Sequence, residues 1–260
     1  MLTVRTSPHV HDWVSTDKAM VMVTIALLPS ALWGVVMFGF KALLVLLVSI
    51  ISALLTEWLL GKINKENTLT DYSALVTGLL VGMNMPPEVP LFIPLIASIF
   101  AIAIVKWTFG GLGCNWANPA IAGRVFVFFS FSSLMSKFKN PWVWGSGAEL
   151  VASATPLTQV KMEIASGLSS EVIMAEAGTP VSAVASSISS LTGLSPYTVD
   201  AFFGFTGGCI GEVSALLLLL GGLFLIAKKV ISWRIPLSFI LSYALLNWVF
   251  GGVRGGNGLF

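Results

Sequence analysis

AMVMVTIALLPSALWGVVMFGF, residues 19–40, is followed after one lysine by ALLVLLVSIISALLTEWLL, residues 42–60. Each run comes close to the roughly 20 apolar residues that carry a helix across a bilayer. Glu57 is the one charged residue within the pair. The same texture recurs outward along the chain. Ser73–Met85 is a short apolar run that ends at Pro86-Pro87, and Leu91–Trp107 is a fourth. A glycine-rich break, Gly110-Gly111-Leu112-Gly113, precedes a fifth run, Pro119–Met135. After a long polar stretch from Ser136 to about Pro196, the runs Phe202–Ala227 and Ile235–Gly252 follow. The expected fold class is an all-α polytopic membrane protein with about seven transmembrane helices, and Pro29 marks a kink point in the first.

Composition agrees. Of 260 residues, 56% are hydrophobic and 10% charged, with a mean hydropathy of +0.90. A soluble domain carries roughly 25% charged residues. The net charge of +2 is too small to point to nucleic acid. Met1 to Lys18 is short and polar, so no cleaved signal peptide is expected. Cys114 and Cys209 have neither metal-ligand spacing nor a disulfide framework, and both are expected to be small buried residues. His9 and His11 read as surface residues.

The positive-inside rule orients the spans. With a cytoplasmic N-terminus, Arg5, Lys18, Lys62, Lys65, Lys106, Lys228, Lys229 and Arg234 fall inside. Lys41, Lys137, Lys139, Lys161 and Arg254 fall outside. This orientation puts the loop after the fifth span on the outer face.

Laid on itself, the chain repeats. Asp71-Tyr-Ser-Ala-Leu75 answers Glu212-Val-Ser-Ala-Leu216, and Trp107-Thr-Phe-Gly-Gly111 answers Trp248-Val-Phe-Gly-Gly252. The offset is 141 in both places, since 212 − 71 and 248 − 107 agree. The third helix and its counterpart then run in opposite directions. This is an inverted repeat, a plan whose sites lie near short or Gly/Pro-broken helices. Three parts follow: residues 1–135 as a first membrane repeat, 136–201 as an outer-face loop, and 202–260 as the start of a second repeat that stops before completion.

The break from Gly110 to Arg124 places irregular backbone at membrane depth, which is tolerated where it is buried in protein or lines a cavity. Its bland reading is a tight helix connection. Asn115 and Asn118 are candidate caps for the next half-helix, whose N-terminus attracts electron-rich groups. Arg124 inside an apolar run needs a partner, a cavity, or a path to the interface. Glu57 near the cytoplasmic end reads ordinarily as a solvated interfacial carboxylate. It is also, with Asp71 and Glu212, a candidate along an ion path. In the long loop, Ser153-Ala154-Thr155-Pro156 presents a hydroxyl on backbone that proline biases toward extension. By itself such a run is loop filler or a cap.

Taken together, these phrases resemble the D subunit of the Rnf complex and the homologous B subunit of the Na⁺-translocating NADH:quinone reductase. The matching residues are Ser7-Pro-His9, Asp71 to Leu80, Met83-Asn-Met-Pro-Pro87, Gly110-Gly-Leu-Gly113, Asn118-Pro-Ala120, Gly123-Arg124, Ser153 to Leu157, Gly211-Glu212 with Ser214, and Trp233-Arg-Ile-Pro236. They cover nearly the whole chain. The short segment before the first helix is more similar to the Rnf protein. The resemblance implies FMN joined to Thr155 through a phosphoester, attached by a flavin transferase. Glu149 stands where the family phrase has Asp, and Ala152 where it has Ser or Thr. Family chains also run past the Gly255-Gly256-Asn257-Gly258 phrase.

The resemblance further implies a multi-pass subunit of the bacterial or archaeal inner membrane. Its partners would be the other Rnf subunits (A, B, C, E and G), and its work would be to couple electron transfer between ferredoxin and NAD⁺ to movement of Na⁺ or H⁺. It leaves room for a second, non-covalent riboflavin. Asn118 and Arg124 become candidates for lining the cofactor or a partner interface. A different class remains open beside it: a secondary transporter or channel without redox chemistry, with the long loop as a lid and Thr155 unmodified.

Overall fold

The structure is a computed structural model and describes residues 15–66, 68–139, 152–153 and 181–251. Thr155, Glu149, His9 and His11 lie outside the described residues. Helix α1 spans Thr16–Phe38 and α2 spans Phe40–Asn64, with Gly39 between them at φ +81°. A cap that demands positive φ is what glycine supplies at least cost. Both helices are long and apolar enough to cross a membrane. Pro29 sits inside α1.

A single 3₁₀ turn at Leu69–Asp71 leads into α3, Ser73–Met83. Helix α4, Phe92–Phe100, continues as a π-helical stretch, Ala101–Trp107. Helix α5 is Pro119–Ser130, and a break at Phe131 sets off the short α6, Ser132–Met135. Strand β1, Phe138–Lys139, pairs antiparallel with β2, Ala152–Ser153. Helices α7 (Ala183–Thr192), α8 (Pro196–Phe203), α9 (Ala215–Ala227) and α10 (Arg234–Gly251) follow. Apart from the two-residue pairing, the described elements are helical.

Three expectations change. The run Phe202–Ala227 is not one helix: residues 204–214 are irregular, and the helix resumes at Ala215. Four glycines between 204 and 211 explain the break. Gly204 adopts φ +101°, and a Cβ there would stand 2.5 Å from the Val213 carbonyl oxygen. The long loop contains the helix α7. Cys209 is buried as expected, but Cys114 is exposed.

The core is built around α3. Nine of its eleven residues are buried, and it is enclosed by α1, α2, α4 and α5. Met37, Val45, Leu46, Leu79, Met83, Ile93, Ala101 and Val127 meet there. The backbone of 209–213 closes it: Ile210 N–H donates to Met85 O at 3.1 Å, and Gly211 N–H donates to Met83 O at 2.7 Å. The irregular 209–213 segment thus finds acceptors for its N–H groups at the end of α3 and just beyond it, as irregular backbone away from water must. On the outside, Leu32, Ile51, Leu55, Phe129 and Phe239 are exposed.

Helix α3 lies against α2 along Gly78 and Gly82, a small-xxx-small spacing that lets two backbones approach closely. A Cβ on Gly78 would meet Ile50 Cα at 2.8 Å, and one on Gly82 would meet Leu46 Cα at 3.1 Å. Valine at position 82 has no room to relax, because the obstacles include backbone. Gly82→Val is expected to separate the helices and to remove most of the folded protein from membranes, read as band intensity and thermal midpoint in detergent.

Helices α7 and α8 are tied by a buried acid. Asp200 accepts from Ser182 N–H at 3.0 Å and from the Ser182 hydroxyl, while Ser182 Oγ caps α7 by accepting from Ala185 N–H at 3.0 Å. Burial pushes the Asp200 carboxyl above its usual range, and the hydrogen bonds from Ser182 oppose that rise.

Candidate functional site

Two charge clusters occupy the two ends of α3. The first collects residues from α2, the 3₁₀ turn, the start of α3 and the π-helical end of α4. Glu57 on α2 is 0% exposed and Lys106 on the π-helical stretch after α4 is 2% exposed. The Lys106 ammonium donates to Glu57 Oε1 at 2.7 Å and to Ser73 Oγ at 2.6 Å. It lies 3.9 Å from Asp71 Oδ2. Glu57 also accepts from the Thr68 hydroxyl and from Trp107 Nε1–H, the latter at 3.1 Å. Asp71 Oδ1 accepts from Ser73 N–H at 2.8 Å and from Ser73 Oγ–H at 2.6 Å.

The π-helical stretch is part of the reason this cluster forms. Lys106 and its neighbour Trp107 both reach the same carboxylate. Consecutive residues of an α-helix point about 100° apart, and the wider π turn narrows that angle. Gly111 N–H closes the stretch by donating to Lys106 O at 3.0 Å. Gly110 and Gly111, at φ +102° and +89°, then turn the chain away. A cavity of about 330 Å³ reaches the cluster and is lined by Glu57, Asp71, Lys106, Trp107 and the Gly110-Gly111 backbone. A second, of about 410 Å³, meets Glu57 beside Trp58, Gly61 and Thr68.

The second cluster lies where α3 ends. Arg124 on α5 donates through Nη1 to Asn84 Oδ1 at 3.0 Å and pairs with Glu212 Oε1 at 3.5 Å. Its Nη2 stands 3.3 Å from Cys209 Sγ. Glu212 Oε2 accepts from Cys209 N–H at 3.3 Å. This cluster is more open, with the Arg124 side chain 31% exposed and that of Glu212 55%. Eleven residues of α3 separate the two groups, about 16 Å along the axis.

Of the candidate residues, Glu57 and Asp71 come together at one end of α3, and Glu212 and Arg124 at the other. Glu57 is not solvated at an interface. A buried carboxylate needs a compensating charge, and Lys106 supplies it. Lys106 is therefore not an interfacial cation of the kind the orientation rule counts. Asn118 caps α5, its Oδ1 accepting from Ala120 N–H at 3.0 Å. Asn115 does not share that role: its Oδ1 is buried without a partner among the described residues. Lys106, Thr68, Ser73 and Asn84 belong to the clusters and were not among the candidates. Two acids near apolar runs already asked for a nearby cation, and Lys106, at the end of the fourth run, was the signal available.

The model of the NQR2, RnfD, RnfE family matches residues 3–258. The D subunit of the proton-translocating ferredoxin:NAD(+) oxidoreductase complex of Clostridium ljungdahlii is 39% identical over 256 residues, covering 98% of this chain and 71% of the relative. The D subunit of the Na(+)-translocating ferredoxin:NAD(+) oxidoreductase complex of Acetobacterium woodii is 40% identical over 253 residues, covering 96% and 70%. The D subunit of the ion-translocating oxidoreductase complex of Stutzerimonas stutzeri is 36% identical over 255 residues, covering 95% and 71%.

Proposed function

The chain belongs to the NQR2, RnfD, RnfE family, and on that premise we propose that it is the ion-path subunit of a membrane complex that couples ferredoxin:NAD⁺ electron transfer to Na⁺ or H⁺ movement. The observation that carries this reading is the pair of charge clusters at opposite ends of α3. A helix that is mostly buried, with ionisable groups at each end, is a poor way to stabilise a fold and a reasonable way to pass charge.

The two acids that answer each other at the 141-residue offset, Asp71 and Glu212, fall in different clusters. Each stands just before a helix, α3 or α9. The start of α9 lies by the end of α3, because Gly211 and Ile210 bond to Met83 and Met85. That opposition is what an inverted repeat calls for, and it supports a path that runs between the halves. Asp71, Glu57 and Lys106 would act at one end, and Arg124, Glu212 and Asn84 at the other. Through its contacts with Glu212, Asn84 and Cys209, Arg124 would also act in the ion path, beside its candidacy for the cofactor or a partner interface.

The redox side of the proposal is FMN on Thr155. A threonine hydroxyl is the group a phosphoester requires. The chain is extended at Ala152–Ser153, two residues before Thr155, and is paired there with Phe138–Lys139. Bound there, the flavin would supply electron acceptance and release. The protein would hold it and tune its surroundings. The relatives above are named for ferredoxin:NAD(+) or ion-translocating complexes, which favours the Rnf-type reading over the quinone reductase. Partners would be the remaining subunits of that complex and a flavin transferase.

The test is mass spectrometry of the tryptic segment 140–161 from native membranes in which the transferase is present. An FMN phosphoester on Thr155 is expected. An unmodified segment would favour a transporter or channel without redox chemistry.

A further inference from the structure

We propose that Lys106 is the gate charge of this ion path. Its ammonium closes the cluster at the start of α3 to cations while it holds Glu57, and a cation passes only when it lets go. The inference rests on the reading that this chain carries the translocated ion.

The ammonium sits where an entering cation would have to sit. Its donors are directed to Glu57 Oε1 and Ser73 Oγ, with Asp71 Oδ2 3.9 Å away. Carboxylate and hydroxyl oxygens of this kind are also the ligands a hard cation takes. Lys106 thus occupies the oxygens that would bind the ion, and its like charge repels a second cation at short range.

Charge and access point the same way. Two carboxylates, Glu57 and Asp71, face one ammonium. Among the described residues, Asp71 Oδ2 has no hydrogen-bond donor, only the ammonium 3.9 Å away. It is the oxygen left to receive a cation, and Asp71 lines the cavity of about 330 Å³. Glu57 by contrast is saturated, with Lys106, Thr68 and Trp107 all donating to it. An ion or proton arriving at Asp71 would weaken the hold of the cluster on the ammonium.

Stability gives no reason for the pair to exist. A buried ion pair can often be replaced by apolar residues of similar volume without loss, because desolvation of both charges offsets their attraction. The backbone that carries Lys106 is also not an ordinary helix. It is the last turn of a π-helical stretch, a feature frequent at functional sites, followed by Gly110 and Gly111 at positive φ.

The experiment uses the whole complex in sealed membrane vesicles, with reduced ferredoxin as donor and NAD⁺ as acceptor. It reads ions moved per NADH formed, and the decay of an imposed gradient without substrate. ²²Na⁺ serves in one arm and a pH-sensitive dye in the other. Lys106→Met alone can fail to fold, because it leaves Glu57 buried without its counter-ion. The double variant Glu57→Gln with Lys106→Met removes both charges at similar volume and keeps the test open.

The double variant is expected to assemble, to dissipate the imposed gradient at least tenfold faster than the unaltered complex, and to lose at least tenfold in ions moved per NADH. Lys106→Arg, which keeps a cation opposite Glu57, is expected to keep most of the tightness. A double variant that stays sealed and translocates at the normal ratio would overturn the gate and leave the pair a structural contact. An unaltered complex that forms NADH without moving either ion would instead contradict the ion-path reading itself.

Discussion

Glu57→Leu is expected to strip this protein from the membrane. The substitution leaves the Lys106 ammonium, 2% exposed, without the carboxylate that compensates its charge. Breaking a buried pair from one side costs about 3–5 kcal/mol. The Thr68 hydroxyl and the Trp107 indole N–H, both part-buried, lose the same acceptor, which adds to that cost. A domain holds only about 5–15 kcal/mol in total, so the sum removes most of its stability. The check is the amount of folded subunit in membranes and its thermal midpoint in detergent. Removing the second charge as well, by Glu57→Leu with Lys106→Leu, should recover much of the loss. If the single variant accumulates as the unaltered chain does, Glu57 and Lys106 are not paired as described.

Thr155→Val is expected to abolish covalent flavin outright. Valine keeps the branched shape and removes the one atom through which a phosphoester can form. The fold should be unaffected, because residue 155 is remote in sequence from every helix that builds the core around α3. The readout is flavin fluorescence of the protein band on a denaturing gel, with Thr158→Val as the control that stays fluorescent. A fluorescent Thr155→Val band would move the attachment to another hydroxyl and dissolve the assignment.

Much of the helical plan was legible because apolar runs and glycine or proline punctuation are local signals. The run 19–40 became Thr16–Phe38, 42–60 became Phe40–Asn64, and Pro86-Pro87 marked α3 as a half-length helix ending at Met83. The break at 204–214 escaped because the segment is apolar throughout. Its glycine spacing, and not its hydropathy, held the information. The ion pair escaped for a different reason. Glu57 and Lys106 are 49 residues apart, and no local pattern says that two helices will bring them within 2.7 Å. The repeat did carry distant information. The Asp71 and Glu212 phrases, matched by sequence alone, turned out to mark opposite ends of one buried helix.

The claim that this helix connects two halves of an ion path is tested most directly at Asp71. Asp71 lines the cavity and its Oδ2 lies 3.9 Å from the Lys106 ammonium, so neutralising it leaves the Glu57–Lys106 pair intact. The measurement is ion uptake per NADH formed, for Na⁺ and for H⁺, by vesicles carrying the Asp71→Asn complex. At least a tenfold fall in that ratio, with the protein assembled in normal amount, is predicted. An Asp71→Asn complex that moves the same number of ions per NADH as the unaltered one would contradict the ion path.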